Sequence, residues 1–558
     1  MIVKNRKLTA AMVAAGILTA GVLVGPINAQ TVGGTNTGSA VVVPYYTVNE
    51  GWQTLLNVTN TSANSLVIKV RLHEARNSRD VLDFNVALSP YDVWTAFVSM
   101  GADGRPFLAT EDRSCTIPIS VRDSGASASE LAYSDNFRDT FPSQGIERMT
   151  EGYVEILVMG EEERLINGQG LGFAPTVVGG VETARGSTAW YAKHVNGEPR
   201  DCVRVQNDFI RTTGTWGGGN ADAIPGQEGS GNPLARRGAP NGNPLVGYGP
   251  ILSEGPLKVN ATVINQDRGI AAGIESLHVA GFGLGENGVG QNLVTAQQFP
   301  WFLEPTLASG DGLWTKSALF ALEDDIGVKT VANEWTSNPQ TGAASDWVVT
   351  FPTKRFRTDN DAYNIQAACN VWRNLETGGG AADGSTTTIP FPFPNDDSTK
   401  RVMTFADEAT AACPIRMFDE LFQQGNNGMS PITVSYDVYD REEGTFQVLT
   451  DGVVISPAPP PEVTIDSLRY EANVIKIGRN VADLDSALNS AIAASVETNQ
   501  LTSNATTGWM NMTFVNADAV PTSGFIFKLR DLGDPTKNYA QATEHAYTFS
   551  EAVNDLND

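Results

Sequence analysis

The chain has 558 residues, of which 41% are apolar and 18% are charged. This composition is typical of a folded protein with sizeable cores, and it excludes a disordered or coiled-coil chain because both carry more charge. The formal net charge of −25 repels nucleic acid phosphates and anionic lipid head groups, so no nucleic acid partner is expected.

The first residues predict a bacterial-type export signal. Basic residues precede the apolar run Leu8–Gly25, and a small residue, Ala29, follows it. We predict a signal peptide over residues 1–29, cut between Ala29 and Gln30. Because no second long apolar stretch follows, we expect no integral membrane span after signal removal. The predicted location is the cell surface or the extracellular space, with the periplasm as an alternative.

Short alternating runs separated by turn residues predict strands along the mature chain. In Leu66–Glu74, the polar residues Lys69, Arg71 and His73 alternate with apolar ones, which predicts that one face of the sheet is exposed to solvent and the other is buried. The predicted strands of an N-terminal β-sandwich domain over residues 30–211 are Ala40–Thr47, Gln53–Thr59, Leu66–Glu74, Val81–Leu88, Val93–Met100, Glu151–Met159 and Thr188–Val195.

Glycine- and proline-rich stretches indicate the domain boundaries. Residues 212–247 predict a loop or linker, followed by a second β-sandwich domain over 248–455. A proline-rich connection, 456–462, leads to a C-terminal β-rich segment, 463–558. In that segment the apolar spacing of Val481–Val496 predicts one short helix. The predicted fold class is all-β: two or more antiparallel Ig-like or jelly-roll-like sandwiches with long loops and little helix.

Four cysteines in an exported chain predict disulfides. We favour Cys115–Cys202 and Cys369–Cys413, because each pair lies within one predicted domain. Other pairings and free buried thiols remain alternatives.

No motif predicts a catalytic centre. The sequence Gly283–Gly288 fits GxGxxG but lacks the following helix, so it is interpreted as a flexible loop. No GxSxG elbow or paired-histidine motif occurs. Glu151 and Glu155 lie on one strand face, roughly 13 Å apart at the usual strand rise, which is too far for a glycosidase pair. They are interpreted as exposed strand carboxylates.

Calcium is the one expected metal, since acidic loops supply the oxygen ligands it prefers. None of these loops has the spacing of a helix–loop–helix calcium site. The candidate ligands are Asp324, Asp325, Asp359, Asp361, Asn395, Asp396 and Asp397.

Two of the ten tryptophans lie in polar or glycine-rich sequence and are candidates for contact with a ligand or partner. These are Trp52 and Trp216, whereas Trp94 and Trp347 lie in strand-like runs and are expected in the core.

Three stretches resemble uncharacterised exported β-rich proteins of proteobacteria: Leu55–Ala96, Ser345–Phe356 and the block from Tyr439 to Tyr470. The resemblance implies a bacterial exported β protein, and no functional residue carries over. The acidic composition, rich in Gly, Asn and Thr, is similar to that of bacterial surface-layer proteins.

The leading hypothesis is a non-enzymatic structural or interaction protein of the bacterial cell surface, which self-associates or binds a surface polymer, with calcium as a candidate cofactor. The alternative is a secreted or periplasmic glycan-binding protein. A polysaccharide hydrolase on a β scaffold is the third candidate.

Overall fold

The structure is a computed structural model. It describes residues 31–32, 36–131, 133, 145–162, 175–178, 181–184, 187–214, 248–249, 251–283, 293–294, 300, 302, 326–358, 387–393, 396–405, 429–441, 464–478, 485–498, 505–515 and 520–549.

The strands and helices of the first half build one β-sandwich. Its strands are β1 (Thr31–Val32), β2 (Ala40–Thr47), β3 (Trp52–Asn60), β4 (Leu66–Glu74), β5 (Asp80–Leu88), β6 (Val93–Met100), β7 (Pro106–Ala109), β8 (Cys115–Ile117), β9 (Ala126–Ser127), β10 (Glu151–Glu162), β11 (Pro175–Val178), β12 (Val181–Ala184), β13 (His194–Val195), β14 (Glu198–Pro199), β15 (Tyr248–Gly249), β16 (Leu257–Asn265), β17 (Ile270–Ile274) and β18 (Leu277–Ala280). Its helices are α1 (Ser120–Ser124), α2 (Thr188–Ala192) and α3 (Cys202–Gly214), with 3-10 turns at Asn49–Gly51 and Ile146–Met149.

Two sheets face each other in this first sandwich. The larger has the order β1-β18-β2-β10-β4-β5-β8, with β15 paired to β10, and the smaller has the order β17-β16-β3-β6-β7-β9. The pairs within both sheets are antiparallel. β11 and β12 form one separate ribbon, and β13 and β14 another.

The later strands build a second sandwich. They are β19 (Gly327–Thr336), β20 (Ala343–Thr350), β21 (Thr387–Phe393), β22 (Asp396–Phe405), β23 (Ile432–Asp440), β24 (Thr464–Leu468), β25 (Ala472–Gly478), β26 (Ala494–Glu497), β27 (Thr507–Phe514), β28 (Val520–Pro521), β29 (Ser523–Arg530), β30 (Tyr539–Glu544) and β31 (Ala546–Phe549), with a short helix α4 (Arg355–Thr358) and a 3-10 turn at Pro339–Thr341.

One sheet of the second sandwich has the order β24-β23-β27-β19-β28, with β31 also paired to β19, and the other has the order β26-β25-β20-β29-β30. β21 and β22 form a separate hairpin. The predicted all-β fold of antiparallel sandwiches with little helix is confirmed.

The two sandwiches share apolar packing, because the sheet containing β20 is buried on both faces. Trp347 and Val349 of β20 belong to the core of the second sandwich, whereas Val348 belongs to the core cluster of the first. In β29, Ile526 belongs to the core of the second sandwich and Phe527 belongs to the core cluster of the first. This continuous burial makes the pair of sandwiches one packed unit rather than two independently moving domains.

Hydrogen bonds to backbone carbonyls also connect the two sandwiches. The Thr350 hydroxyl donates to the carbonyl of Pro44 over 2.6 Å, and the Ala472 N–H donates to the carbonyl of Ala75 over 2.9 Å. Gly269 has a φ of +66°, and a Cβ there would come within 2.1 Å of the Pro535 carbonyl oxygen. A glycine is therefore required where these two turns meet.

Three sequence-based expectations differ from the structure. β16 pairs with β3, so β16, β17 and β18 complete the first sandwich, although their residues were assigned to the second predicted domain. Residues 485–493 form turns instead of the predicted helix, and 494–497 form a strand. Thr188–Ala192 is helical, where a strand was expected.

The predicted helix fails because tertiary hydrogen bonds fix its chain segment in another shape. The Leu488 N–H donates to the Asp346 carboxylate over 2.9 Å, and the Ala491 N–H donates to the Glu151 carboxylate over 2.9 Å. These contacts use backbone donors that a helix would need for its own bonds. Among the described residues, no helix is long and apolar enough to cross a membrane.

Candidate functional site

Among the described residues, a set of eight buried or partly buried ionisable groups lies on the outward face of the larger sheet of the first sandwich. We call it the charged layer, and its members are Lys69, Arg71, His73, Asp80, Asp83, Glu155, Arg355 and Glu471. The strand register explains why they meet: Arg71 on β4 lies opposite Glu155 on β10 and Asp83 on β5. The second sandwich adds Arg355 and Glu471 from above this face.

Glu155 is the centre of the charged layer and is fully buried. Its carboxylate lies 3.3 Å from an Arg71 guanidinium nitrogen and pairs with Arg355 on its other oxygen. Burial alone would raise the pKa of Glu155, but the positive charges of Arg355 and its neighbours hold that pKa well below its usual value. Glu155 is therefore ionised at neutral pH, with its charge compensated inside the protein.

His73 is neutral in this environment. Burial lowers its pKa to about 4, and the charge of Arg355 acts in the same direction against the opposing effect of Glu155. Its Nδ1 lies 2.9 Å from the carbonyl of Ser78, its Nε2 lies 3.1 Å from the Glu155 carboxylate, and an Arg355 nitrogen lies 2.9 Å from Nε2. Both ring nitrogens therefore have polar partners inside the protein. The ring stacks on Tyr153 at a centroid distance of 4.8 Å.

Glu471 enters the charged layer from the second sandwich. It is fully buried, and neither carboxylate oxygen forms a hydrogen bond of normal geometry with the described residues. Burial raises the pKa of Glu471 to about 8, against the opposing charges of Arg355 and Lys354. Its backbone N–H donates to the carbonyl of Arg76 over 3.0 Å, which ties the β4–β5 turn to the second sandwich.

That same turn, residues 75–79, is held by a second ion pair. The Glu74 carboxylate accepts from the backbone N–H groups of Asn77 and Arg79, each over 3.0 Å. Arg148 lies 3.1 Å from Glu74 and stacks over the Tyr133 ring at 4.4 Å. The turn is therefore fixed on both sides of the contact between the sandwiches.

Two further buried carboxylates hold the segment that was expected to be helical. Asp346 accepts from the Ser486 hydroxyl over 2.5 Å, and burial raises its pKa to about 6. Glu151 accepts from the hydroxyls of Tyr45 and Ser490, each over 2.7 Å. Burial also raises the pKa of Glu151 above its ordinary value. The interpretation of Glu151 and Glu155 as exposed strand carboxylates is wrong, because the second sandwich covers the face on which they lie.

A Ser/His/Asp cluster occurs at the surface of the first sandwich, but it lacks the geometry of a catalytic triad. Ser89 Oγ and Asp92 Oδ2 lie 2.7 Å and 3.2 Å from the same ring atom, Nδ1 of His194. A triad requires the two partners on opposite ring nitrogens. The hydrogen bond with Asp92 raises the pKa of His194. The cluster stabilises the turn between β5 and β6, where the Ser89 N–H also donates to Asp92 over 2.8 Å.

The structure supports one of the predicted disulfides. Cys115 and Cys202 are bonded, with their Cα atoms 5.1 Å apart, and the bond joins β8 to the start of α3. Cys369 and Cys413 lie outside the described residues.

Trp52 does not lie in an exposed loop, which corrects its assignment as a ligand-contact residue. It is the first residue of β3 and is fully buried. Its indole N–H donates to the Asn489 side chain over 3.0 Å, and its ring meets Phe527 edge-on at 5.4 Å. It thus packs between the sandwiches. Trp94 and Trp347 are buried as expected, whereas Trp216 lies outside the described part of the chain.

The calcium candidates are placed only in part. Asp396 and Asp397 begin β22, whereas Asp324, Asp325, Asp359, Asp361 and Asn395 lie outside the described residues, as do Ala29 and Gln30. Within the described residues, no group of three or more His, Cys, Asp or Glu side chains is positioned to hold a metal ion.

The charged layer was missed at the sequence level, although one signal pointed to it. Basic residues on β4 and acidic residues on β5 and β10 occupy the same face of neighbouring predicted strands. Opposite charges in that register pair across a sheet. Comparisons with family models, curated proteins and solved structures find no match for the chain.

The arrangement can hold two sandwiches together, since its fully buried charges are paired and its histidine is neutral. Glu155, Arg71 and His73 are fully buried and present no surface to a soluble substrate. The charged layer is therefore suited to holding the two sandwiches together.

Proposed function

We propose that this chain is a non-enzymatic, exported structural or interaction protein of the bacterial cell surface that self-assembles in the manner of a surface layer or filament. The observation that carries the proposal is the double sandwich itself. One sheet contributes alternate side chains to two cores, so the pair moves as one unit, which suits a building block that transmits load between neighbours.

The burial of the ionisable groups inside the molecule supports a non-catalytic role. A general acid or base must reach its substrate. In the charged layer, Glu155 and His73 instead face each other inside the molecule, and their partners come from both sandwiches. Glu151, which was considered with Glu155 and rejected as a glycosidase pair, also contacts the second sandwich through Ser490 and Ala491.

Calcium enters the proposal as an ion that bridges the acidic surfaces of neighbouring copies. The net charge of −25 makes such copies repel one another. A divalent cation between carboxylates from two copies would lower that repulsion.

Light scattering of the purified mature protein tests assembly. We expect particles larger than a monomer with calcium chloride, and a shift towards monomer with a chelator. Cell fractionation and electron microscopy should place the protein in ordered arrays or filaments at the cell surface, which disappear when the gene is deleted. A monodisperse monomer under both conditions, together with a cell surface unchanged by the deletion, would contradict the proposal.

Glycan binding is the second candidate function, and one specific observation favours it. A half-exposed tryptophan, Trp509, stacks on Tyr439 on the outer face of the second sandwich. An aromatic ring held at the surface by a second ring offers a flat apolar face on which a sugar ring can stack.

A further inference from the structure

The outer face of the sheet β24-β23-β27-β19 presents an ordered aromatic pair to solvent. Tyr439 on β23 lies directly opposite Trp509 on β27. Their ring centroids are 5.6 Å apart with planes inclined by 27°, and Trp509 is 44% exposed. One ring supports the other, so an indole face is held in place for a ligand.

Polar side chains surround this pair in rows set by the strand register. Glu334 on β19 is the other neighbour of Trp509, and the next row contains Asp437 and Asn511. We call this surface the aromatic face, and it comprises Tyr439, Trp509, Glu334, Asp437, Asn511, Ala332, Ser435, Thr513 and Thr330.

Buried groups under the aromatic face fix its backbone. Trp335 donates its indole N–H to the carbonyl of Tyr439 over 3.0 Å, and Trp347 donates to the carbonyl of Glu334 over 2.8 Å. Gly508 lets the strands approach closely, since a Cβ there would lie 1.8 Å from the Tyr439 carbonyl oxygen. The rings are therefore preorganised, which lowers the entropy lost on binding.

We propose that the aromatic face binds a neutral polysaccharide, with a sugar ring stacked on Trp509 and its hydroxyls bonded to Glu334, Asp437 and Asn511. A sugar ring has an apolar C–H face and a hydroxyl rim, which match an indole bordered by carboxylates and an amide.

Charge decides between a neutral and an anionic polymer. Glu334 lies beside Trp509 and Asp437 lies in the next row of the aromatic face, and the whole chain is strongly acidic. An anionic polymer would be repelled. Lys528 does not reverse this, because it is engaged with Glu334 at 2.6 Å.

The composition of the face favours a glycan over a second copy of the chain. A stable protein interface buries about 800 Å² on each partner around an apolar centre. Here the side chains around the two rings are Ser, Thr, Asn, Asp and Glu, with Ala332 as the one apolar member of these rows. Such a surface suits a ligand with many hydroxyl groups.

This inference names a partner class for the second candidate function and does not depend on self-assembly. Calcium-dependent particles would fail to form if the assembly proposal were false, whereas retention by glycans would be unaffected. The two failures are therefore distinguishable.

Affinity electrophoresis of the full mature protein in gels containing hydroxyethyl cellulose, xylan, dextran or soluble starch tests the proposal. We expect retardation by at least one of these neutral polymers. Trp509→Ala should weaken it by about tenfold or more, and Trp509→Phe by less, since a smaller ring remains.

Tyr539→Ala is the matched control, because Tyr539 is an exposed aromatic residue on the other sheet of the same sandwich. It should leave retardation unchanged. Thermal unfolding of each variant establishes that the fold is retained, and the Trp509→Phe variant keeps the test valid if Trp509→Ala does not fold.

Three results would overturn the proposal. The first is the absence of retardation by all four neutral polymers. The second is retardation that Trp509→Ala and Trp509→Phe leave unchanged, or that occurs only with an anionic polymer such as alginate. The third is a dimer in light scattering that Trp509→Ala abolishes, which would assign the aromatic face to a second copy.

Discussion

The charged layer and the aromatic face arise from the same kind of alternating sequence, but the charged layer is buried whereas the aromatic face is exposed to solvent. In β4 and in β23, polar residues alternate with apolar ones. Each strand therefore has a polar face that points outward from its sandwich and an apolar face that points into the core. All nine residues of β4 are buried, whereas every second residue of β23 retains contact with solvent. The difference lies in what covers each face, since the second sandwich packs on β4 and the outer side of β23 keeps its access to water.

The comparison separates two physical requirements on a polar sheet face. A face in water needs no internal partners, because water supplies them. A covered face must pair every charge or shift its pKa. In the charged layer, Glu155 is paired and ionised, whereas the pKa of the less well satisfied Glu471 is raised to about 8.

The largest expected effect comes from breaking the charged layer. Arg355→Met removes a cation from a fully buried carboxylate, so we expect a loss of about 3–5 kcal/mol in the free energy of unfolding. Denaturant titration measures this change. A loss below about 1 kcal/mol would mean that water reaches Glu155.

The two tryptophans give a second contrast between the buried and the exposed region. Trp52→Ala leaves a cavity between the sandwiches and should cost about 3–5 kcal/mol. Trp509→Ala acts on a half-exposed ring and should cost about 1 kcal/mol or less. Thermal or chemical unfolding compares the two variants. Equal losses would contradict the assignment of Trp52 to the interface.

The pH dependence of stability sharpens the comparison through Glu471. Its pKa is about 8 in the folded protein against an ordinary value of 4.5, so between these values the folded state holds a proton that the unfolded state has lost. Stability should therefore fall by up to about 1.4 kcal/mol per pH unit as pH rises through this window.

Glu471→Gln removes that contribution. The variant should gain stability relative to the natural protein as the pH rises from 5 to 8, and the difference should level off above pH 8. Glu334→Gln, on the solvent-facing side, should show little such dependence. A stability difference for Glu471→Gln that is constant with pH would contradict a neutral, buried Glu471.

The smallest expected effect comes from the ion pair on the exposed side. Lys528 pairs with Glu334, whose side chain is 65% exposed. Lys528→Met should change the free energy of unfolding by less than about 1 kcal/mol, since solvent screens such pairs. A loss as large as that of Arg355→Met would show that this pair is not exposed as described.

Much of the fold could be predicted because strand periodicity is local. Predicted Leu66–Glu74 coincides with β4, and predicted Val93–Met100 coincides with β6. The pairing of Cys115 with Cys202 also followed from their positions in one predicted domain.

The charged layer could not be predicted, because burial of a polar face depends on a second sandwich that is distant in sequence. Arg355 lies 200 positions from Glu155, and no local pattern relates them. The same limit explains Trp52, whose polar neighbours suggested a loop, and the segment after residue 485, whose apolar spacing matched a helix. Trp509 drew no attention in the sequence because its exposure results from the register of β27.

The central claim is that solvent reaches the aromatic face and is excluded from the charged layer. Hydroxyl-radical footprinting with mass spectrometry tests it directly, because it measures side-chain access in the native protein. We predict rapid oxidation of Trp509, with Trp52, Tyr153 and His73 protected until the protein unfolds. Oxidation of Tyr153 and His73 at the rate of Trp509 in the native protein would contradict this account.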